Sequence, residues 1–152
     1  MLHKTAMMIA LVLVGAQGTA AEPSRHFVNL SPNPSRASLP FSDGVLVGDT
    51  LYLSGSIGLD PKTDRAAADP RTEAKLAMDH VKATVEAAGL TMDDVVSMQV
   101  HCTDLTLYDL FNEVYRGYFP HGFPARAFLG ASVLLRGAHF EVLGIAVKRK
   151  PS

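Results

Sequence analysis

The stretch that decides the fold is FEVLGIAV, residues 140–147, close to the end of the chain. Because successive side chains of a strand point to opposite faces, one face of this strand carries Phe140, Val142 and Ala146. The other face is also apolar and carries Leu143, Ile145 and Val147. Soluble monomers avoid exposing a large apolar patch, so the sequence predicts an oligomer in which sheets pack against each other.

The segments that precede this strand alternate between strand and helix patterns. Asp69 as N-cap, Pro70 at the first helical position and Gly89 at the end define the first helix. The predicted elements are, in order, a hairpin of strands 45–47 and 51–54, a turn over 58–64, the helix from Pro70, strand 96–103, a helix over 107–119, strand 127–134, a turn at 136–137 and strand 139–148. This order predicts an α+β sandwich, with two helices on one face of a mostly antiparallel sheet.

The N-terminal residues have the pattern of an export signal. His3 and Lys4 come before an apolar run over 6–15, and small residues follow at 18–21. The run is shorter than the roughly 20 apolar residues that a membrane span needs. We therefore expect a signal peptide over 1–20, an extended arm over 21–40 and one domain over 41–152. The mature protein is expected to be periplasmic or secreted, with no membrane attachment after cleavage.

The composition excludes several classes of function. The 152 residues include 14 basic and 15 acidic side chains, and without a basic stripe we expect no nucleic-acid partner. Cys102 is the single cysteine, so an intramolecular disulfide is impossible, and its strand pattern indicates a core thiol. The sequence has no His-x-x-x-His or Cys-x-x-Cys spacing, so we expect no metal site.

Arg126 is the main candidate for a functional residue. It follows Pro124 at the start of an uncharged, strand-like run. Burying an unpaired guanidinium is costly, so the residue either pairs with a carboxylate or binds an anionic ligand. The sequence leaves both open: an internal ion pair, with Glu141 or Asp43, and a carboxylate-binding site.

Several segments together are similar to the RidA (YjgF) family. They are LYLSGSIGLDPKT at 51–63, EAAG at 86–89, MDDVV at 92–96, FNEVY at 111–115 and FPAR at 123–126, with a looser match over 140–147. The resemblance implies a chorismate-mutase-like fold, a homotrimer with its helices outside, and three sites in the clefts between subunits. It also implies hydrolysis of small enamine or imine acids to 2-oxo acids and ammonia, without a metal or organic cofactor.

The resemblance also implies the site residues. It gives Arg126 the role of holding the substrate carboxylate, and it puts Ser54, Gly55, Phe41 and Phe128 in the cleft. Asn112 matches a family asparagine on the second helix, where we expect it to tie the helix to a loop.

Three departures from the family pattern bear on activity. Leu143 stands where active deaminases have a second acidic residue, Phe41 where they have a tyrosine, and Ala127 and Phe128 where they have a small polar pair. Because leucine cannot exchange a proton, the simplest general-base step lacks its residue. The export pattern, Arg126 and the resemblance together predict an exported trimer that binds small 2-imino or 2-oxo acids, with imine hydrolysis as the activity that the resemblance implies and that Leu143 speaks against. The alternative is a non-catalytic trimeric module that binds a small carboxylate or a protein partner.

Overall fold

The computed structural model describes residues 24–30 and 39–149. The predicted signal peptide, residues 1–20, and much of the predicted arm lie outside the described residues. Ten strands and helices follow one another: β1 (Arg25–Val28), β2 (Gly44–Val47), β3 (Thr50–Ile57), β4 (Leu59–Asp60), β5 (Arg65–Ala66), α1 (Pro70–Ala87), β6 (Val95–Cys102), α2 (Tyr108–Arg116), β7 (Ala125–Gly130) and β8 (Phe140–Val147). Among the described helices, none has the length and apolar character to cross a membrane.

Six of the strands form one sheet in the order β1-β2-β3-β8-β6-β7. Every neighbouring pair is antiparallel except β6 and β7, which are parallel because α2 connects them as a crossover. The strands β4 and β5 form a separate small hairpin, which covers most of the predicted turn over 58–64 and ends two residues beyond it. Two helices on one face of a mostly antiparallel sheet confirm the predicted α+β class.

The first helix begins and ends where its capping residues predict. Asp69 is the N-cap, and its carboxylate accepts a hydrogen bond from the Thr72 backbone N–H at 2.8 Å. Pro70 occupies the first turn, where its missing N–H costs nothing. At the other end Gly89 has a φ of +76°, a left-handed conformation in which glycine ends a helix without steric cost.

The two faces of the sheet differ in what covers them. The core lies under the helices and includes Leu51, Val142 and Ala146, each with no exposed surface. On the opposite face, Tyr52 and Leu143 alternate with these core residues, and Tyr52 pairs with Ile145 across β3 and β8. Tyr52 is 51% exposed. This second apolar face, which the sequence predicted from β8, has no covering layer among the described residues of the protomer.

The chain between the second helix and β8 differs from the prediction. The strand predicted for 127–134 starts two residues earlier and ends at Gly130, and it pairs with β6 rather than with the last strand. Residues 135–137 form a short 3₁₀ turn, in which Arg136 has a positive φ of 59°. Local pattern cannot distinguish a strand from an extended loop, and here the loop continues the apolar sequence beyond the end of the sheet.

Candidate active site

A cavity of about 860 Å³ opens where β3 ends beside the start of β8. Its walls come from the segment before β2, the β3 end, the loop around the small hairpin, the 3₁₀ turn before β8, and one side of α1. The lining residues are Leu39, Phe41, Asp43, Ser54, Gly55, Ser56, Ile57, Leu59, Pro61, Asp64, His80, Leu135, Arg136 and Glu141. Three of the predicted site residues are among them, namely Phe41, Ser54 and Gly55.

Gly55 and Glu141 are in direct contact in this cavity. The register between β3 and β8 shifts at Ser54–Gly55, which marks a β-bulge, a feature that re-aims side chains. A Cβ atom at position 55 would overlap the Glu141 carboxylate where it now stands, so a larger residue would require the Glu141 side chain to move. The missing side chain at position 55 therefore lets a carboxylate stand in the cavity.

Ser54 and Phe41 form another part of the wall. The Ser54 backbone N–H donates to the Asp43 carbonyl oxygen at 3.0 Å, and its hydroxyl donates to the Ser42 carbonyl oxygen at 2.5 Å. Both donors of Ser54 are thus used within the protomer, although the residue itself lines the cavity. Phe41 is 54% exposed, so its ring presents an apolar surface at the mouth of the cavity.

Arg126 lies on β7, on the sheet face that the helices cover. Its Nη2 donates a hydrogen bond to Oδ1 of Asn112 on α2 at 2.7 Å. Among the ion pairs of the described residues, none includes Arg126, so pairing with Glu141 or Asp43 is not observed. Asn112 therefore ties α2 to the arginine, whereas the sequence argument expected it to tie the helix to a loop.

Aromatic rings surround the rest of the guanidinium. Its Cζ lies 4.6 Å from the ring centroid of Tyr115, 5.6 Å from that of Phe128 and 5.7 Å from that of Tyr108. Each ring offers its negative face to the cation.

Burial raises the pKa of Tyr115 to about 12, and the nearby Arg126 charge opposes that rise. The Tyr115 hydroxyl is buried without a hydrogen-bond partner in the described structure. We call Arg126, Asn112, Tyr108, Tyr115 and Phe128 the arginine cluster.

The arginine cluster does not line the cavity. Two strands, β8 and β6, lie between β3 and β7 in the sheet, which separates the outer two by about 14 Å. The predicted site residues thus fall into two groups within one protomer: Phe41, Ser54 and Gly55 in the cavity, and Arg126, Asn112 and Phe128 in the cluster. One protomer does not bring them together.

Other reactive residues lie elsewhere. Cys102 is fully buried, and burial raises the pKa of its thiol, which suits the predicted core role. His121 is exposed and bonds to Asp93 at 2.9 Å, away from the cavity. Within the described ranges, 24–30 and 39–149, no cluster of three or more metal-ligating side chains was found.

Two cavity residues were missed by the sequence argument, Glu141 and His80. The sequence offers Glu141 as a possible ion-pair partner of Arg126, and leucine at position 143 predicts the loss of the second, water-positioning acidic residue. Leu143 lies two residues from Glu141 on the same face of β8, but only Glu141 lines the cavity. A signal that could have indicated Glu141 is Ser54–Gly55, which forms the bulge next to it in space. The sequence did not show that this part of β3 pairs with β8. No local pattern marked His80.

Comparison with known proteins places these features in a family. A family model described as Endoribonuclease L-PSP matches residues 32–148. A RutC family protein of Saccharolobus solfataricus is 40% identical over 123 residues, which cover 80% of this chain and 95% of the relative. The chain belongs to the RidA (YjgF) family.

Two further RidA relatives are informative about chemistry. A protein of Escherichia coli named 2-iminobutanoate/2-iminopropanoate deaminase is 36% identical over 120 residues, covering 77% of this chain and 94% of the relative. The crystal structure of E. coli TdcF with bound serine superposes with a TM-score of 0.69 at 34% identity, covering 73% of this chain and 90% of TdcF. The fold expected from the family resemblance is therefore confirmed.

Proposed function

We propose that this RidA protein hydrolyses small 2-imino carboxylic acids to 2-oxo acids and ammonia, in a site shared between two protomers of an exported homotrimer. The observation that carries the proposal is the separation of two complementary groups within the protomer. One is a cavity with a carboxylate, and the other is a guanidinium without an acidic partner among the described residues. The cavity has a carboxylate to activate water, and the arginine cluster has a guanidinium to hold the substrate carboxylate.

The arginine cluster has the chemistry to hold a carboxylate. Arg126 uses one Nη2 donor on Asn112, and its remaining N–H groups are available for a two-pronged contact with a carboxylate. Because the surrounding rings are apolar and Asn112 is neutral, no internal anion competes with the substrate. A bound carboxylate would neutralise the half-buried charge.

Glu141 has the chemistry to activate water. It lines the cavity, and within the described residues it forms no ion pair. In the proposed step, the water oxygen forms a bond to the imine carbon while Glu141 accepts one of its protons. The resulting carbinolamine then loses its nitrogen as ammonia, which leaves the 2-oxo acid.

The open sheet face favours the homotrimer. Tyr52, Leu143 and Ile145 would be covered if sheets of neighbouring copies packed together, as the two-sided apolar pattern of β8 predicts. A rotational arrangement of this kind puts different edges of two protomers side by side, so the cavity of one can adjoin β7 of the next. The deaminase names of relatives 34–37% identical to the chain favour catalysis over simple binding.

Mixing two inactive variants tests the shared site directly. Arg126→Ala and Glu141→Gln are each expected to abolish ammonia release from freshly generated 2-iminopropionate, measured against the uncatalysed rate. After the two are unfolded and refolded together, a shared site regains activity, because about a quarter of its sites combine two intact residues. A site contained in one protomer would regain none, since every protomer carries a defect.

The same preparations test the other parts of the proposal. Sedimentation of the wild-type protein is expected to show a trimer, and a stable monomer would contradict the shared site. Ligand-induced thermal stabilisation without any turnover would favour the binding module.

For export, N-terminal sequencing of protein from the periplasm or medium is expected to start near residue 21. A full-length cytoplasmic product would overturn that part alone.

A further inference from the structure

His80 and Asp43 form a hydrogen-bonded pair in the wall of the cavity. His80 Nε2 lies 3.0 Å from Asp43 Oδ1, and the two side chains are 24% and 13% exposed. The other carboxylate oxygen of Asp43 accepts the Leu30 backbone N–H at 2.8 Å, which fixes the carboxylate. Nδ1 of His80 has no hydrogen-bond partner among the described residues. A carboxylate that orients one ring nitrogen leaves the other for proton transfer.

The pair lies close to the proposed water-activating residue. The carbonyl oxygen of Asp43 accepts the Ser54 N–H at 3.0 Å, and the next residue, Gly55, is in contact with the Glu141 carboxylate. His80 is thus linked to the Ser54–Gly55 bulge through Asp43, Glu141 contacts the bulge directly, and both line the same cavity. Two proton-transferring groups in the wall of one cavity match the needs of a hydrolysis in which one atom loses a proton and another gains one.

We infer that His80 is the general acid that protonates the leaving nitrogen, with Asp43 as its positioning residue. This inference rests on the proposed imine hydrolysis. The other titratable and charged groups in the cavity wall are Asp64, Arg136 and Glu141. Asp64 and Arg136 form an ion pair with each other, which leaves Asp43 as the direct partner of the imidazole.

Both groups, His80 and Glu141, return to their starting protonation states after one turnover. Water adds to the carbon of the protonated imine, the C–O bond forms, and Glu141 takes a water proton. Protonated His80 then gives its Nδ1 proton to the nitrogen of the carbinolamine, and the C–N bond breaks with its electron pair on the nitrogen. The hydroxyl proton returns to the imidazole as the C=O bond forms. Glu141 passes its proton to the departing ammonia, which leaves as ammonium.

The substitution His80→Gln tests the acid role with little change of shape. The glutamine amide nitrogen can occupy the place of Nε2 and keep the bond to Asp43, but glutamine has no proton to donate at Nδ1. We expect kcat to fall about 100-fold with KM nearly unchanged. An acid must be protonated to act, so the fall of the wild-type rate on the alkaline side should disappear in the variant. His121→Gln, which removes an exposed histidine outside the cavity, should change neither quantity.

The results of these assays distinguish the acid role of His80 from the proposed imine hydrolysis. An active wild type with an unchanged kcat and pH profile in His80→Gln would overturn the acid role and leave the imine hydrolysis in place. A wild type without turnover would overturn both. If His80→Gln does not fold, His80→Ala assayed with added imidazole replaces it. Partial recovery of kcat above the imidazole background supports the acid role, and no recovery contradicts it.

Discussion

Arg126 donates a hydrogen bond to Oδ1 of Asn112 at 2.7 Å and has no acidic partner among the described residues. A neutral acceptor orients the guanidinium without cancelling its charge. Three aromatic rings lie within about 6 Å of it and supply no anion. Asn112 and the aromatic rings thus pack around a cation that no acidic side chain among the described residues neutralises. This is expected for an arginine that binds an anionic ligand.

Asn112→Asp should convert this ligand arginine into one half of an internal ion pair. The substitution keeps the shape of the side chain but places a negative charge 2.7 Å from Nη2, where it competes with the substrate carboxylate. We expect KM for 2-iminopropionate to rise at least about tenfold while the free energy of unfolding rises by up to about 1 kcal/mol. Steady-state kinetics and urea denaturation measure the two effects, and an unchanged KM would show that Arg126 does not hold the substrate.

Glu141→Gln and Leu143→Glu should affect different properties, although the two positions are only two residues apart. Glu141 lines the cavity, so its amide variant is expected to lose about 100-fold or more in kcat and to remain a trimer. Leu143 lies on the open sheet face, where a new charge would be buried in the predicted assembly. We expect Leu143→Glu to sediment as a smaller species and to gain no turnover. A rise in turnover for this variant would instead show that position 143 reaches the reacting water.

Tyr115→Phe and Tyr118→Phe remove hydroxyl groups with opposite hydrogen-bonding status. The Tyr115 hydroxyl is buried without a partner, so its loss should leave the free energy of unfolding unchanged or raise it by about 1 kcal/mol. The Tyr118 hydroxyl donates to Asp79 at 2.7 Å, so its loss should cost about 1 kcal/mol. Parallel urea denaturation curves compare the two. A clear loss for Tyr115→Phe would reveal a hydroxyl partner in the assembled protein.

Asp94 should contribute a pH-dependent part of the stability. Burial, the largest influence, raises the pKa of its carboxyl, but hydrogen bonds from Thr91 and Arg149 outweigh it and hold the pKa at about 2, below the ordinary 3.8. Because the folded pKa is the lower one, the carboxylate stabilises the fold above about pH 4 by about 2 kcal/mol, and the effect is lost as the pH falls toward 2. Asp94→Asn should therefore be less stable than wild type at pH 7, with a gap that closes in acid. Equal free energies of unfolding at pH 7 would contradict this assignment.

Local patterns in the sequence were sufficient for both helices, for most strands of the main sheet and for the class of fold. Asp69, Pro70 and Gly89 set the first helix through capping and backbone preferences, which depend only on neighbouring residues. The period-two pattern of residues 140–147 predicted both the buried strand and its second apolar face. Arg126, as an isolated cation beside an apolar strand, stood out as a site residue for the same reason: its cost of burial is a property of the residue itself.

The tertiary structure alone decided which residues share the site. The β-bulge that puts Gly55 against Glu141 depends on the register between β3 and β8, strands more than 80 residues apart in the chain. The packing of α1 likewise brings His80 to Asp43, 37 residues earlier. Sequence patterns report the direction of a side chain within its own element, whereas the neighbours across elements follow from pairing and packing that no local pattern encodes.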